Sequence, residues 1–398
     1  MPKALVVGGG VAGPAVAQLL ARSGWEAVVL EARPAPDPYE GLFLNVAVNG
    51  QRVLGTLGML DRLLADAHRA SRMVMTSGRG AQLGVVPNGP AGRPSEGGVV
   101  VRRGWLHQVI REGAEQAGVT IRHGRRLIRV DDRANAVVAG FEDGSIEEGD
   151  VLIGADGIGS VVRQHLAPQV VPEFTGLLGT GGFAHGTGLA PTPGFQFFVF
   201  GTRSFFGYLV RDDGTVYWFA NLTADRPPTP DAPLAGDVLL ARLRDLHEDD
   251  PSPVPQILAH ADGPVGGYPI FRLPTVPTWW RGRVVALGDA VHATSPSAGQ
   301  GASLALEDAV VLAHHLRTES PEAAFAAYEA ARRDRAERIV AYAAAIDRQK
   351  RVAKGRLGAA IRDAMLPMFL RKAAGDTRHD WVYDYHAPWT ASGEDASA

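Results

Sequence analysis

Apolar positions along the first 170 residues alternate between short β-type runs and stripes at helical spacing. Ala4, Leu5, Val6 and Val7 run together, stop at Gly8-Gly9-Gly10-Val11-Ala12-Gly13, and are followed by Ala15, Val16, Leu19 and Leu20 at helical spacing. The pattern predicts a strand, a glycine turn and a helix. Pro14 suits a first helical turn because its missing N–H is not needed there, and Gly24 is placed to end the helix. A second strand, Ala27 to Leu30, then delivers Glu31.

Arg33 to Asp37 is Pro-rich, and Gly41 to Asn49 reads as an extended or coiled entry to a helix around 51–64. Met73–Thr76 and Gln82–Val86 predict a hairpin, and 87–98, rich in Gly, Pro and Ser, a loop. Val99 opens a strand that feeds a helix burying Leu106, Val109, Ile110 and Ala114. Residues 119–141 alternate as a meander of short strands with a turn at Asp143-Gly144. A buried strand then ends at Asp156-Gly157, ahead of a helix over 160–166. From Val171 to Pro274 aromatic and β-branched residues alternate, as in Phe195, Phe197 and Val199 or Tyr217, Phe219 and Asn221. This predicts an antiparallel sheet broken by a short helix near 238–246 and by the Pro-rich runs RPPTPDAPLAG and DDPSPVP. A strand over 284–287 closes at Gly288-Asp289, a glycine-bearing loop covers 296–301, and a helix fills 302–316. Beyond Thr318 the chain is helical, with Phe325, Tyr328, Ile339, Tyr342 and Ile346 at three-to-four spacing. The aromatic tail Trp381–Trp389 reads as a clamp on the body or a partner surface, and TASGEDASA after it as mobile.

The 398 residues are 45% hydrophobic, enough for a large core in two domains or one elaborated one. A net charge of -3 leaves no basic footprint, which argues against nucleic acid and an anionic membrane as partners. No apolar run is long enough to span a bilayer, and the first one is a strand, so the cytoplasm is the expected compartment. The absence of cysteine excludes disulfides, thiolate metal sites and the dithiol that a disulfide reductase needs.

Three turns carry the candidate chemistry. Gly8 suits a tight turn, Gly10 a close approach of backbone to a pyrophosphate and Gly13 the packing of helix on strand, while Glu31 can hold ribose hydroxyls. The arrangement points to an adenine dinucleotide; the bland alternative is a turn with no ligand. Asp156 is either a helix cap or a carboxylate at a strand end for a ribose or a flavin's polar chain. Asp289 with the helix beginning near Ala302 pairs an acceptor with backbone donors. Phe183, Phe206, His185, Tyr208 and Trp218 fall in the sheet segment and are candidates for a pocket, against the commoner role of core packing. No histidine and carboxylate spacing suggests a metal, and no acid or base is demanded.

Together, the glycine turn with Glu31, Asp156-Gly157 and Gly288-Asp289 resemble the FAD-dependent monooxygenases of the aromatic hydroxylase type, the class A flavoproteins, across nearly the whole chain. The resemblance implies an α/β fold: a Rossmann-like FAD-binding domain with an inserted antiparallel-sheet substrate domain and C-terminal helices. It divides the chain into FAD-binding segments 1–72, 99–170 and 280–320, substrate-domain segments 73–98 and 171–279, and helices with the aromatic tail over 321–398. It implies that Gly8, Gly10, Val11, Ala12 and Gly13 cradle the FAD pyrophosphate, with Glu31 on the adenosine ribose and Arg33 beside it. Arg103 contacts the flavin or its phosphates and Leu127 the adenine. Asp156 and Gly157 form a turn shared by FAD and NAD(P)H, Asp289 binds ribitol, and Pro296, Gly299 and Gly301 line the flavin ring. Ser303 departs from the pattern, since many members carry Asn there. The activity implied is hydroxylation or epoxidation of a bulky aromatic or polycyclic small molecule by a flavin C4a-hydroperoxide, with FAD resident and NAD(P)H and O2 as co-substrates. The expected assembly is a monomer or homodimer. The alternative is a non-redox flavoprotein whose FAD shapes a pocket for binding or a pericyclic step. A flavin halogenase is disfavoured, because Trp279-Trp280 is followed by Arg281-Gly282 and not by the rest of that family's Trp-x-Trp-x-Ile-Pro element.

Overall fold

A computed structural model describes residues 1–37, 41–228, 236–350 and 355–389. The terminal TASGEDASA and residues 229–235 of the first Pro-rich interruption lie outside the described residues. The opening unit is β1 (Lys3–Val7), α1 (Ala12–Arg22) and β2 (Glu26–Leu30). β3 (Phe43–Val46) leads into α2 (Val48–Thr56) and α3 (Leu60–Leu64). The single helix expected over 51–64 is thus two, because Gly58 adopts a left-handed φ of 77° just after α2.

β4 (His68–Ala70) precedes the hairpin of β5 (Arg72–Ser77) and β6 (Gln82–Pro87), and β7 (Gly98–Arg102) runs directly into α4 (Arg103–Gln116). β8 (Thr120–Arg122) does not join the expected meander; it pairs in parallel with β2. The meander proper is β9 (Leu127–Asp132), β10 (Val137–Phe141) and β11 (Ile146–Gly149). β12 (Val151–Gly154) and α5 (Val161–Leu166) follow. Then come β13 (Glu173–Ala184), β14 (Phe195–Phe200), β15 (Phe205–Val210), β16 (Val216–Thr223), α6 (Gly236–Leu246), α7 (Val254–Ala259) and β17 (Ala261–Arg272). The chain closes with β18 (Trp280–Arg281), β19 (Val284–Ala286), α8 (Asp289–His292), α9 (Gly301–Leu316), α10 (Pro321–Lys350) and α11 (Gly355–Ala374).

Two large sheets organise these elements. The first runs β18-β19-β12-β1-β2-β8, parallel except at the β18 edge. Its strands read as unbroken apolar runs because helices cover both faces: Leu5, Val6, Val29, Leu152, Ile153 and Val285 are all fully buried. The second sheet runs β17-β13-β16-β15-β14-β5-β6, antiparallel except for the β14–β5 pair. A small sheet, β3-β7-β4, lies between them in the chain's path.

Pleating gives the second sheet two different faces. Val199, Phe206, Tyr208, Val216, Trp218 and Leu222 form a core with Leu239 and Leu243 of α6 and Val254, Ile257 and Leu258 of α7. The other face carries Phe183, Leu209 and Tyr217, which pack with Phe43 of β3 and Val100 of β7. That second face is the one turned toward the first third of the chain.

Candidate active site

Because β2, β1, β12 and β19 are parallel neighbours, Glu31, the glycine turn, Asp156 and Asp289 all emerge at one edge of one sheet. The strands that deliver Glu31 and Asp289, β2 and β19, stand three spacings apart in the sheet, about 15 Å. This is the edge where open parallel sheets bind ligands.

The glycines divide by what a Cβ would meet. At Gly8 (φ 109°) it would lie 2.3 Å from the Ala155 carbonyl oxygen, and at Gly13, 1.9 Å from that of Gly8. Both glycines are therefore demanded by strand and helix packing. At Gly10 a Cβ would meet nothing within 4 Å, so open space lies above the turn, where a pyrophosphate would approach. Glu31 Oε2 accepts from Gly9 N at 2.6 Å and Oε1 from Arg33 N at 2.9 Å, so the acid and the turn are locked together. Val11 and Ala12 begin α1, and Arg33 is exposed beside Glu31.

The third turn meets the first. A Cβ on Gly288 (φ 62°) would lie 3.7 Å from Ala12 Cβ, and one on Gly301 would lie 4.0 Å from Asp289 Oδ1. Asp289 is ringed by protein yet open to solvent, as at the floor of a groove. That enclosure pushes its carboxyl above the ordinary aspartate value, while His292 and Arg103 draw it back. Arg103 thus stands within charge range of Asp289, and its Cδ would lie 3.0 Å from a Cβ on Gly41. The N-termini of α1 and α9, Asp289 and Arg103 come together at one end of the sheet, and these residues fit a flavin dinucleotide.

Asp156 behaves differently. Its Oδ1 accepts from the Ser160 hydroxyl, and its Oδ2 from Val161 N at 2.8 Å and Val162 N at 3.2 Å. Both oxygens serve the start of α5, so the cap reading is the one its hydrogen bonds support. Gly157 (φ 73°) turns freely beside it, and the Leu127 side chain is buried in the main core.

The loop after α8 holds Pro296 in a 3-10 turn, Gly299 in the left-handed region at φ 61°, and Gln300 as the residue before α9. Asn49 Nδ2 donates to Gln300 Oε1 at 2.9 Å and Glu307 Oε1 at 2.6 Å, tying the loop to α2. Ser303 Oγ accepts from Ala47 N at 3.2 Å. A cavity of ≈ 270 Å³ adjoins the loop, lined by Phe174, Leu177, Thr294, Val340 and Ala344 among others.

Of the five expected pocket residues, only Phe183 lies on the face with Phe43 and Tyr217. Its ring is 4.9 Å from Tyr217 and 6.4 Å from Phe43. Phe206, Tyr208 and Trp218 are corrected to the opposite face: pleat parity turns them under α6 and α7, where Phe206 and Trp218 stack at 5.8 Å. His185 stands at the solvent end of β13 in an exposed pair with Asp262 at 2.6 Å. The ring-bearing neighbours on the Phe43 face are Tyr217 and Phe219, one residue to either side of Trp218. Leu42 also belongs there, its Cδ1 lying 2.9 Å from where a Gly181 Cβ would be.

The sequence reading also missed the buried acids. Glu307 and Asp308 are fully buried within the largely apolar α9 and pair with Arg332 at 2.7 Å each. Arg335 joins Glu307 at 2.9 Å, and His292 joins Asp308 at 2.5 Å. Two adjacent charges inside an apolar helix were the signal, since such groups are buried only when paired. Among the described residues no cluster of acids and histidines could hold a metal, and no helix is long and apolar enough to cross a membrane.

A parallel sheet with open space over the glycine turn at its carboxyl end, and Glu31 and Asp289 beside it, is the arrangement of a dinucleotide-binding protein. The family model described as "FAD binding domain" matches residues 1–343. The chain is 30% identical over 355 residues to a 6-hydroxynicotinate 3-monooxygenase of Pseudomonas fluorescens, covering 85% of this chain and 89% of that one. It is 32% identical over 359 residues to an FAD-dependent urate hydroxylase of Klebsiella pneumoniae, covering 85% and 88%. The crystal structure of Klebsiella pneumoniae HpxO with FAD and uric acid superposes with a TM-score of 0.84 at 26% identity, covering 96% and 97%. The chain belongs to this FAD-binding family, among the flavin-dependent aromatic monooxygenases.

Proposed function

We propose that this enzyme uses NAD(P)H and O2 to hydroxylate or epoxidise an aromatic or polycyclic small molecule. The observation that carries the reading is the shared groove: Gly10, Glu31, Arg103, Asp289 and Gly301 converge at one sheet edge, and an aromatic sheet face stands beside it. Bound FAD supplies the redox and oxygen chemistry. The chain's own residues bind and orient. Glu31 and the backbone of 8–13 serve the adenosine and pyrophosphate end, Arg103 and Asp289 the central chain, and Pro296, Gly299 and Gly301 the ring. Phe43, Phe183 and Phe219, backed by the buried Tyr217, present apolar area that excludes water and favours a flat ring.

The test is oxygen uptake by the purified yellow protein with NADH or NADPH, across a panel of aromatic ligands. At least one ligand should raise the rate of nicotinamide oxidation tenfold or more. A protein that holds oxidised FAD but consumes neither nicotinamide with any ligand would support a scaffold role for FAD instead.

A further inference from the structure

Asn45 lies on β3 two residues beyond Phe43, on the same side of the strand and therefore on the side of the aromatic face. Its carboxamide is held in one orientation. The buried Asn88 Nδ2 donates to the Ala70 carbonyl at 2.7 Å, which fixes that atom as nitrogen, and its second hydrogen goes to Asn45 Oδ1 at 2.8 Å. Asn45 Oδ1 is thereby the acceptor and Nδ2 the donor, which lies 3.0 Å from where a Gly98 Cβ would be. The strand makes room for this pair: a Cβ on Gly98 would lie 2.4 Å from Asn45 Oδ1 and 2.6 Å from Asn88 Nδ2.

The opposite end of the amide meets the loop assigned to the flavin ring. Asn45 Nδ2 is 3.0 Å from where a Gly299 Cβ would stand, and it has no acceptor among the described residues. A donor fixed by a buried partner and facing a half-open site is costly to leave unmatched and so discriminates between ligands.

We propose that Asn45 is a specificity residue that donates through Nδ2 to an oxygen acceptor on the aromatic substrate, a phenolic, phenolate or ring-carbonyl oxygen. This rests on the functional reading above and adds the residue that selects for the oxygen. The probes are pairs differing by one oxygen: 4-hydroxyquinoline and quinoline, 4-hydroxybenzoate and benzoate, 2-naphthol and naphthalene. Dissociation constants are read from perturbation of the flavin spectrum of the holoprotein, without nicotinamide. At least one oxygen-bearing probe should bind about tenfold more tightly than its partner. Asn45→Ala should abolish that preference, Asn45→Asp should reverse it for an anionic oxygen, and Asn88→Leu should reduce it, all with FAD affinity unchanged. Preference retained in Asn45→Ala, a loss of FAD affinity in that variant, or no preference for any oxygen-bearing probe in the wild type would overturn the proposal. The functional reading fails separately, on a protein that binds no FAD or oxidises no NAD(P)H.

Discussion

Gly10 and Gly13 sit three residues apart and do different physical work. Gly13 is required by the fold, since any side chain would drive into the Gly8 carbonyl at 1.9 Å, while Gly10 faces open space. Gly13→Val should therefore fail to fold or lose several kcal/mol, on the order of other core overpacking. Gly10→Val should keep the melting temperature of the apoprotein and lose most of its FAD, read as the 450 to 280 nm absorbance ratio after gel filtration. Asp289→Ala should do the same, and full yellow colour in either variant would contradict the groove. The sequence made these glycines legible because backbone geometry at a strand-to-helix turn leaves few choices of residue. The pocket aromatics were not legible to the residue. Alternation shows that a strand has two faces, but which parity turns toward Phe43 is set by tertiary packing, so candidates were drawn from both faces: Trp218 lies on the far side and Phe219, with Tyr217, on the near one.

At the scale of elements, α8, α9 and α10 are joined by charges that no water reaches. Arg332 stands between Glu307 and Asp308 at 2.7 Å each, all three fully buried. Removing the cation leaves Glu307 with Arg335 alone and Asp308 with His292 alone, so Arg332→Met should destabilise by about 3 kcal/mol in urea unfolding, while Arg332→Lys, which keeps the charge, should lose clearly less. An equal loss in the two variants would contradict this account. The histidine adds a pH dependence. Burial disfavours the His292 imidazolium, but Asp308, helped by Asp289, raises its pKa above the usual value. Burial would also raise Asp308, yet His292 and Arg332 hold it at about 2. A raised histidine stabilises fully below its unfolded pKa of about 6.5 and loses this as pH climbs through the folded value. A depressed carboxylate contributes above its unfolded value of about 3.9 and loses this only toward pH 2. The pair should thus be strongest from about pH 4 to 6.5 and weaken on the alkaline side. His292→Gln should flatten that alkaline decline in melting temperature; an unchanged decline would assign it to other groups. Helix α9 was legible from its apolar stripe, whereas its partner arginine, 24 residues further on, could be found only once α10 was folded back.

Across the whole molecule, the tail binds the body as one of its two expected roles required. Arg335 donates to the Trp381 and Val382 carbonyls at 2.8 and 2.9 Å, Arg52 to the Tyr383 carbonyl at 2.7 Å, and Asp380 accepts from Ala91 N at 2.7 Å. Arg335 also holds Glu307, which orients Asn49 and, through it, the Gln300 loop. Truncation after Ala374 should therefore lower the melting temperature by several degrees and weaken FAD retention together; a truncated chain as stable and as yellow as the full one would show the strap to be idle. The parallel sheet, the second sheet and their order were legible because both periods, two and 3.6, are strongly written. The path of the tail was not, since aromatics separated by polar residues carry no period that names their partner.

The central claim is that a flavin held along one sheet edge serves oxygen insertion into an aromatic ring. It is tested most directly by mass spectrometry of an aromatic ligand turned over with NAD(P)H under ¹⁸O₂. A product heavier by a single ¹⁸O atom is the result predicted. Turnover that returns every ligand unlabelled, while NAD(P)H is consumed or not, would contradict it.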